Sequence, residues 1–93
     1  MKKPNLLIHI IPTLGNGGAE TVLARLVEEF YKIKINQYIF TISGSNTDFH
    51  YEKIKPFCEI IHLKKNKKRA FQILKSNQNS TLIGWMYRSF YLV

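Results

Sequence analysis

The chain has 93 residues, a formal net charge of +8, a hydrophobic fraction of 45% and an aromatic fraction of 13%. These values describe one small globular domain with a modest core, and they exclude a disordered chain or a second large core. A lone cysteine excludes an intrachain disulfide framework, the scattered His9, His50 and His62 lack zinc-site spacing, and no apolar run approaches the ~20 residues that span a bilayer.

The cysteine usage points to the cytoplasm. The basic N-terminus only superficially suggests a signal peptide, because the apolar run after Lys2 and Lys3 is short, contains His9 and has no small-residue cleavage site after it. The positive charge favours an anionic partner: nucleic acid, anionic lipid or a phosphorylated substrate.

Leu6 to Ile11, "LLIHII", is apolar at both parities, the pattern of a central strand in a parallel sheet covered on both faces. Pro12 ends it, and a turn with Gly15, Gly17 and Gly18 follows. A helix is expected from about Ala19 to Lys32, with Ala19, Val22, Leu23, Leu26, Val27 and Phe30 on its apolar face. Glu20 complements the dipole in its first turn, and Glu28 and Lys32 stand four apart in the favourable order. Gln37 to Ser43 is β-branched and aromatic and predicts a second strand. "GSNT" is a loop, and "DFHYEKIKPF" gives a short helix ending before Pro56. Cys58 to Leu63 is the third strand. Ala70, Ile73 and Leu74 predict a helix from about Lys67 to Ser76, and Thr81 to about Met86 is the fourth strand. Alternating strands and helices imply an α/β fold: a Rossmann-like open parallel sheet with right-handed crossovers and strand order 3-2-1-4. The apolar ending "RSFYLV" reads as the start of a helix cut off in its first turn, so the chain is expected to be a fragment.

The glycine turn admits two explanations. One is a tight turn with no ligand. The other is an anion site, since glycines let a phosphate approach the unpaired N–H groups of a helix start. Two common phosphate motifs do not fit. In G-x-G-x-x-G/A, Glu20 occupies the third glycine position, and the second strand ends in Thr41 and Ser43 rather than the ribose-binding acid. The P-loop lysine and hydroxyl residue are absent at the helix start.

"HIIPTLGNGGAETVLARLVEEF" resembles the opening of the family 4 glycosyltransferases of the two-domain GT-B type. Gly17, Gly18, Ala19 and Glu20 match the family's "GGAE" turn. "LIGWMYRSFYLV" is similar to a family stretch of the form W-M-Y-H-A-N/D-L-L. Trp85, Met86 and Tyr87 agree with it, while Arg88, Ser89 and Phe90 stand where the family has His, Ala and Asn or Asp. The likeness covers nearly the whole chain.

The resemblance implies that residues 1–93 form a truncated N-terminal, acceptor-side domain of a retaining, metal-independent sugar transferase. The substrates implied are a nucleotide-sugar donor and a saccharide or lipid-linked acceptor, in the building of a cell-surface polysaccharide. The nucleotide sugar is a substrate, and no cofactor is implied. Gly15, Gly17 and Gly18 would face the donor diphosphate or sugar. Most of the donor site would lie on a C-terminal domain missing from this chain, so the chain alone is expected to be inactive. Trp85 and Tyr87 either pack the sheet end or line an acceptor cleft, and Arg88 either holds an acceptor phosphate or stands in solvent. No catalytic residue is assigned.

The run Lys64, Lys65, Lys67, Lys68 and Arg69 holds five basic residues in six. It is either a solvated loop or a contact for anionic membrane lipid or a phosphorylated lipid acceptor. The second reading gives a cytoplasmic protein held on the inner face of the membrane. No nucleic-acid module is visible, and nucleic acid is not expected as a partner. His9 and His62 are expected in the core or at the sheet end, and Cys58 is expected to be buried and inert. Three non-enzymatic readings remain open on the residues: an anion-binding α/β module, a membrane-surface protein and a degenerate gene remnant.

Overall fold

A computed structural model of the chain describes residues 6–76 and 80–85. In chain order the elements are β1 (Leu6–Ile11), α1 (Gly18–Lys32), β2 (Gln37–Thr41), α2 (Tyr51–Ile54), β3 (Glu59–His62), α3 (Lys67–Ser76) and β4 (Ser80–Gly84). The four strands form one parallel sheet in the order β3-β2-β1-β4, as the alternating pattern predicts. The domain is therefore a small Rossmann-like α/β unit.

Period-two alternation explains why β1 is apolar throughout. Leu6 and Ile8 point into a core with Phe40, Ile61, Ala70 and Ile73, under α3. Ile11 joins Leu14, Leu23, Ala24, Val27, Ile39 and Ile54 on the other face, under α1 and α2. Two cores on two faces are what right-handed crossovers produce when the chain winds outward from β1 and then returns to β4.

Helix α1 buries Leu23, Ala24 and Val27. Each large aliphatic side chain so placed contributes roughly 1.5–3 kcal/mol. Val22 does not share the buried face. It is 50% exposed, since one helical step rotates it about 100° from Leu23. On α3, Ala70 and Ile73 are buried, but Leu74 is 40% exposed for the same geometric reason.

The end of α1 is fixed by backbone geometry. Lys34 takes a left-handed conformation with φ 63. Its N–H bonds to the carbonyl of Tyr31, and the N–H of Ile35 bonds to that of Phe30, both at 3.0 Å. This pair is a Schellman motif, which satisfies carbonyls that the helix leaves open. The turn aims the chain back into β2, with Leu7 opposite Gln37. Strand β2 stops at Thr41, two residues earlier than the composition suggests; Ser43 already lies in the following loop.

Candidate functional site

The carboxyl ends of the four strands open on one edge. Residues 12–17 leave β1, 42–50 leave β2, 63–66 leave β3, and Trp85 follows β4. The strand order changes direction between β1 and β4, so the loop after β1 and Trp85 flank a topological switch point. Crevices in open parallel sheets form there.

Gly17 is the N-cap of α1, with φ −129 and ψ 174, which is extended backbone. Gly15, Gly17 and Gly18 all avoid positive φ, so a left-handed turn does not explain them. Crowding touches only one of the three, and there the neighbour is the far end of a flexible side chain that can turn aside. A Cβ on Gly17 would lie 2.5 Å from Oε1 of Glu20, whereas a Cβ on Gly18 meets nothing within 4 Å and one on Gly15 makes only ordinary contacts. Glu20 folds back against the turn it follows, and its buried Oε1 has no hydrogen-bond partner among the described residues. The N–H of Gly15 bonds to Thr13 Oγ1 at 3.3 Å, and that of Gly17 to the Gly15 carbonyl at 3.1 Å. The first-turn N–H groups from Gly18 onward are those a helix cannot satisfy itself, and they carry the positive end of its dipole.

The loop after β2 clamps this turn. Asp48 Oδ2 accepts from the N–H groups of Leu14 and Ser45, each at 3.1 Å. The N–H of His50 bonds to the Leu14 carbonyl at 2.9 Å. A second chain of bonds runs below. The N–H of Gly44 donates to Thr41 Oγ1 at 3.1 Å, and Thr41 Oγ1 lies 2.7 Å from His62 Nδ1. His62 Nε2 lies 2.8 Å from Asn46 Oδ1. An amide oxygen only accepts, so Nε2 carries the proton and Thr41 donates to Nδ1. Burial holds His62 below the ordinary histidine pKa, with nearby Asp48 opposing and Lys65 assisting.

His50 lies under the start of α1. Its Nε2 is 3.4 Å from Thr21 Oγ1, whose own proton goes to the Gly17 carbonyl at 2.9 Å. Nε2 therefore donates, and among the described residues the buried Nδ1 has no partner.

Trp85 packs the sheet end. It sits against the core under α1, its N–H bonds to the Ile10 carbonyl at 2.7 Å, and its indole donates to His9. His9 is fully buried, as its place inside a strand suggests. Tyr87 and Arg88 lie outside the described residues.

Lys64, Lys65, Lys67 and Lys68 are all exposed. Arg69 differs from them, because its guanidinium pairs with both carboxylate oxygens of Glu59 at 2.9 and 3.0 Å. That pairing holds the Glu59 carboxyl below its usual range. Cys58 is half-buried just before β3, and burial pushes its thiol up to about 12, so it stays protonated and unreactive. Among the described residues, no group of three metal-ligating side chains comes together, and no helix is long and apolar enough to cross a membrane.

Sequence reasoning missed Gly44, Asp48 and His50. The spacing Ser45-x-x-Asp48 is a capping-box pattern and could have marked the loop as ordered. No local signal reveals that Asp48 also reaches Leu14. Chemically, the edge presents helix N–H groups beside a clamped loop, an arrangement suited to receiving an anionic group.

No family model matches the chain, and comparison with curated proteins and with solved structures finds no match either.

Proposed function

We propose that this chain is the acceptor-side domain of a GT-B glycosyltransferase that moves a sugar from a nucleotide-sugar donor. One observation carries the reading. The glycine turn opens a 15-residue helix at the switch point of a parallel sheet, with open space beside Gly18. Fixed N–H dipoles aimed at a leaving diphosphate stabilise developing charge without reorganising during the reaction. The "GGAE" likeness supports the assignment of Gly17 and Gly18 to that role, in which the Gly17 N–H exchanges the Gly15 carbonyl for a diphosphate oxygen. Glu20 tunes it. Its carboxylate rests against Gly17, so an incoming diphosphate must approach from the Gly18 side or displace Glu20.

Amide chemical shifts under titration with uridine diphosphate and with inorganic pyrophosphate test the proposal. On this reading most of the nucleotide contacts belong to a second domain, so affinity is on the order of millimolar. The amides of Gly17, Gly18 and Ala19 should move, and Glu20→Ala should tighten binding several-fold by removing a like charge. Saturating shifts confined to other residues, or none at these three, would overturn the proposal.

A further inference from the structure

We infer that α3 and the loop before it form a docking face for an anionic lipid bilayer. The inference is independent of the glycosyl-transfer reading. Ala70 and Ile73 turn toward the sheet, and the opposite side of the helix carries Lys67, Lys68, Phe71 and Lys75. At about 100° per residue these four fall within roughly a quarter-turn of one another. Lys64 and Lys65 extend the positive charge into the preceding loop.

Three features separate this face from an ordinary solvated one. First, residues 63–76 contain no acidic side chain. The nearest acid with a described ion pair, Glu59, is engaged by Arg69, so the lysines are not neutralised locally. Second, Phe71 is 65% exposed in the middle of the lysines, with Leu74 at the margin. Lys67, Lys68, Phe71 and Gln72 line one shallow depression. Third, the placement of the charge opposes the fold. Lys67 and Lys68 stand in the first turn of α3, at the positive end of its dipole, with no acid there to offset them. Asn66 supplies the cap instead, accepting from the Arg69 N–H at 3.3 Å. An anionic surface relieves that repulsion.

Lysines around an exposed aromatic side chain are the pattern of helices that lie in a membrane interface. Nucleic acid would satisfy the charge, but it has no use for Leu74. The lipid face therefore accounts for more of the surface.

Co-sedimentation of the full chain with phosphatidylglycerol/phosphatidylcholine vesicles, and with phosphatidylcholine alone, tests the inference. Binding should require the anionic lipid and fall with salt. Lys67→Gln with Lys68→Gln should weaken it about 25-fold, at about five-fold per lysine. Phe71→Ser should weaken it about tenfold or more, by removing a buried aromatic contact. All three positions are exposed, so circular dichroism should show an unchanged fold. Three outcomes would each defeat the inference: no binding to anionic vesicles at low salt, binding indifferent to all three substitutions, or tighter retention on a single-stranded oligonucleotide than on vesicles. None of them bears on the pyrophosphate shifts.

Discussion

The indole N–H of Trp85 donates to Nδ1 of His9 at 3.2 Å, across 76 positions of chain. An indole only donates, so Nδ1 is unprotonated and the proton of His9 lies on Nε2. That proton points to Gln37 Oε1 at 3.0 Å, and Gln37 Nε2 donates to the Val27 carbonyl at 2.7 Å. One relay thus ties β4, β1, β2 and α1 together, and it works only while His9 is neutral.

Acid should therefore loosen the domain before its carboxylates protonate. Burial holds the His9 pKa below 6.5, with the Gln37 bond opposing in part. A lowered folded-state value means that the stabilisation is complete above the unfolded pKa of about 6.5. It is lost as pH falls from there through the folded value. His62 is shifted in the same direction and adds to the slope. Trp85→Phe should cost about 1–2 kcal/mol at pH 7.5, because it leaves Nδ1 without its donor. It should also flatten the pH dependence, because the imidazolium no longer meets an N–H. Urea unfolding followed by far-ultraviolet dichroism from pH 7.5 to 5 measures both; unchanged stability and slope would make the contact incidental.

Gly44 and Gly18 should respond oppositely to a methyl group. A Cβ on Gly44 would meet Thr41 Oγ1 at 2.7 Å, Thr41 Cβ at 2.9 Å and Asp48 Oδ2 at 2.9 Å. These atoms belong to the bonded clamp and cannot all move aside, so Gly44→Ala should destabilise by about 1–3 kcal/mol. Gly18→Ala enters open space at a helix start and should be neutral or stabilise by up to about 1 kcal/mol. Thermal unfolding of the two variants decides the matter, and the reverse order would contradict the loop geometry.

Lys34→Gly should stabilise the domain by roughly 1 kcal/mol. The left-handed position of a Schellman motif suits glycine, and a side chain there crowds its own backbone. Chemical denaturation of the variant gives the value directly. A loss of stability would mean that the Lys34 side chain makes a contact worth more than the strain it causes.

Much of the architecture was legible along the chain because it rests on local periodicity. The bounds of β1 and α3, the apolar parity of β1 and the strand order all follow from side-chain alternation and crossover handedness. The glycine turn was legible as a motif, but its interior was not. That Gly17 leaves room for the Glu20 carboxylate depends on a rotamer, and no spacing rule specifies one. Gln37 looked like the unremarkable start of a strand. Its amide is central because a parallel register puts residue 37 opposite residue 7 and brings the His9 ring within reach.

Composition and pattern alone were enough to determine one basic α/β domain, a parallel sheet, and a helix start placed at its carboxyl edge. They could do so because hydrophobic periodicity and turn chemistry act over a few residues. Only folding decided that Asp48 clamps Leu14, that Trp85 sets the tautomer of His9, that Arg69 leaves the basic run for Glu59, and that Phe71 stays among the lysines. Each of these depends on the three-dimensional meeting of distant segments, where hydrogen-bond geometry and burial select partners that local sequence does not encode.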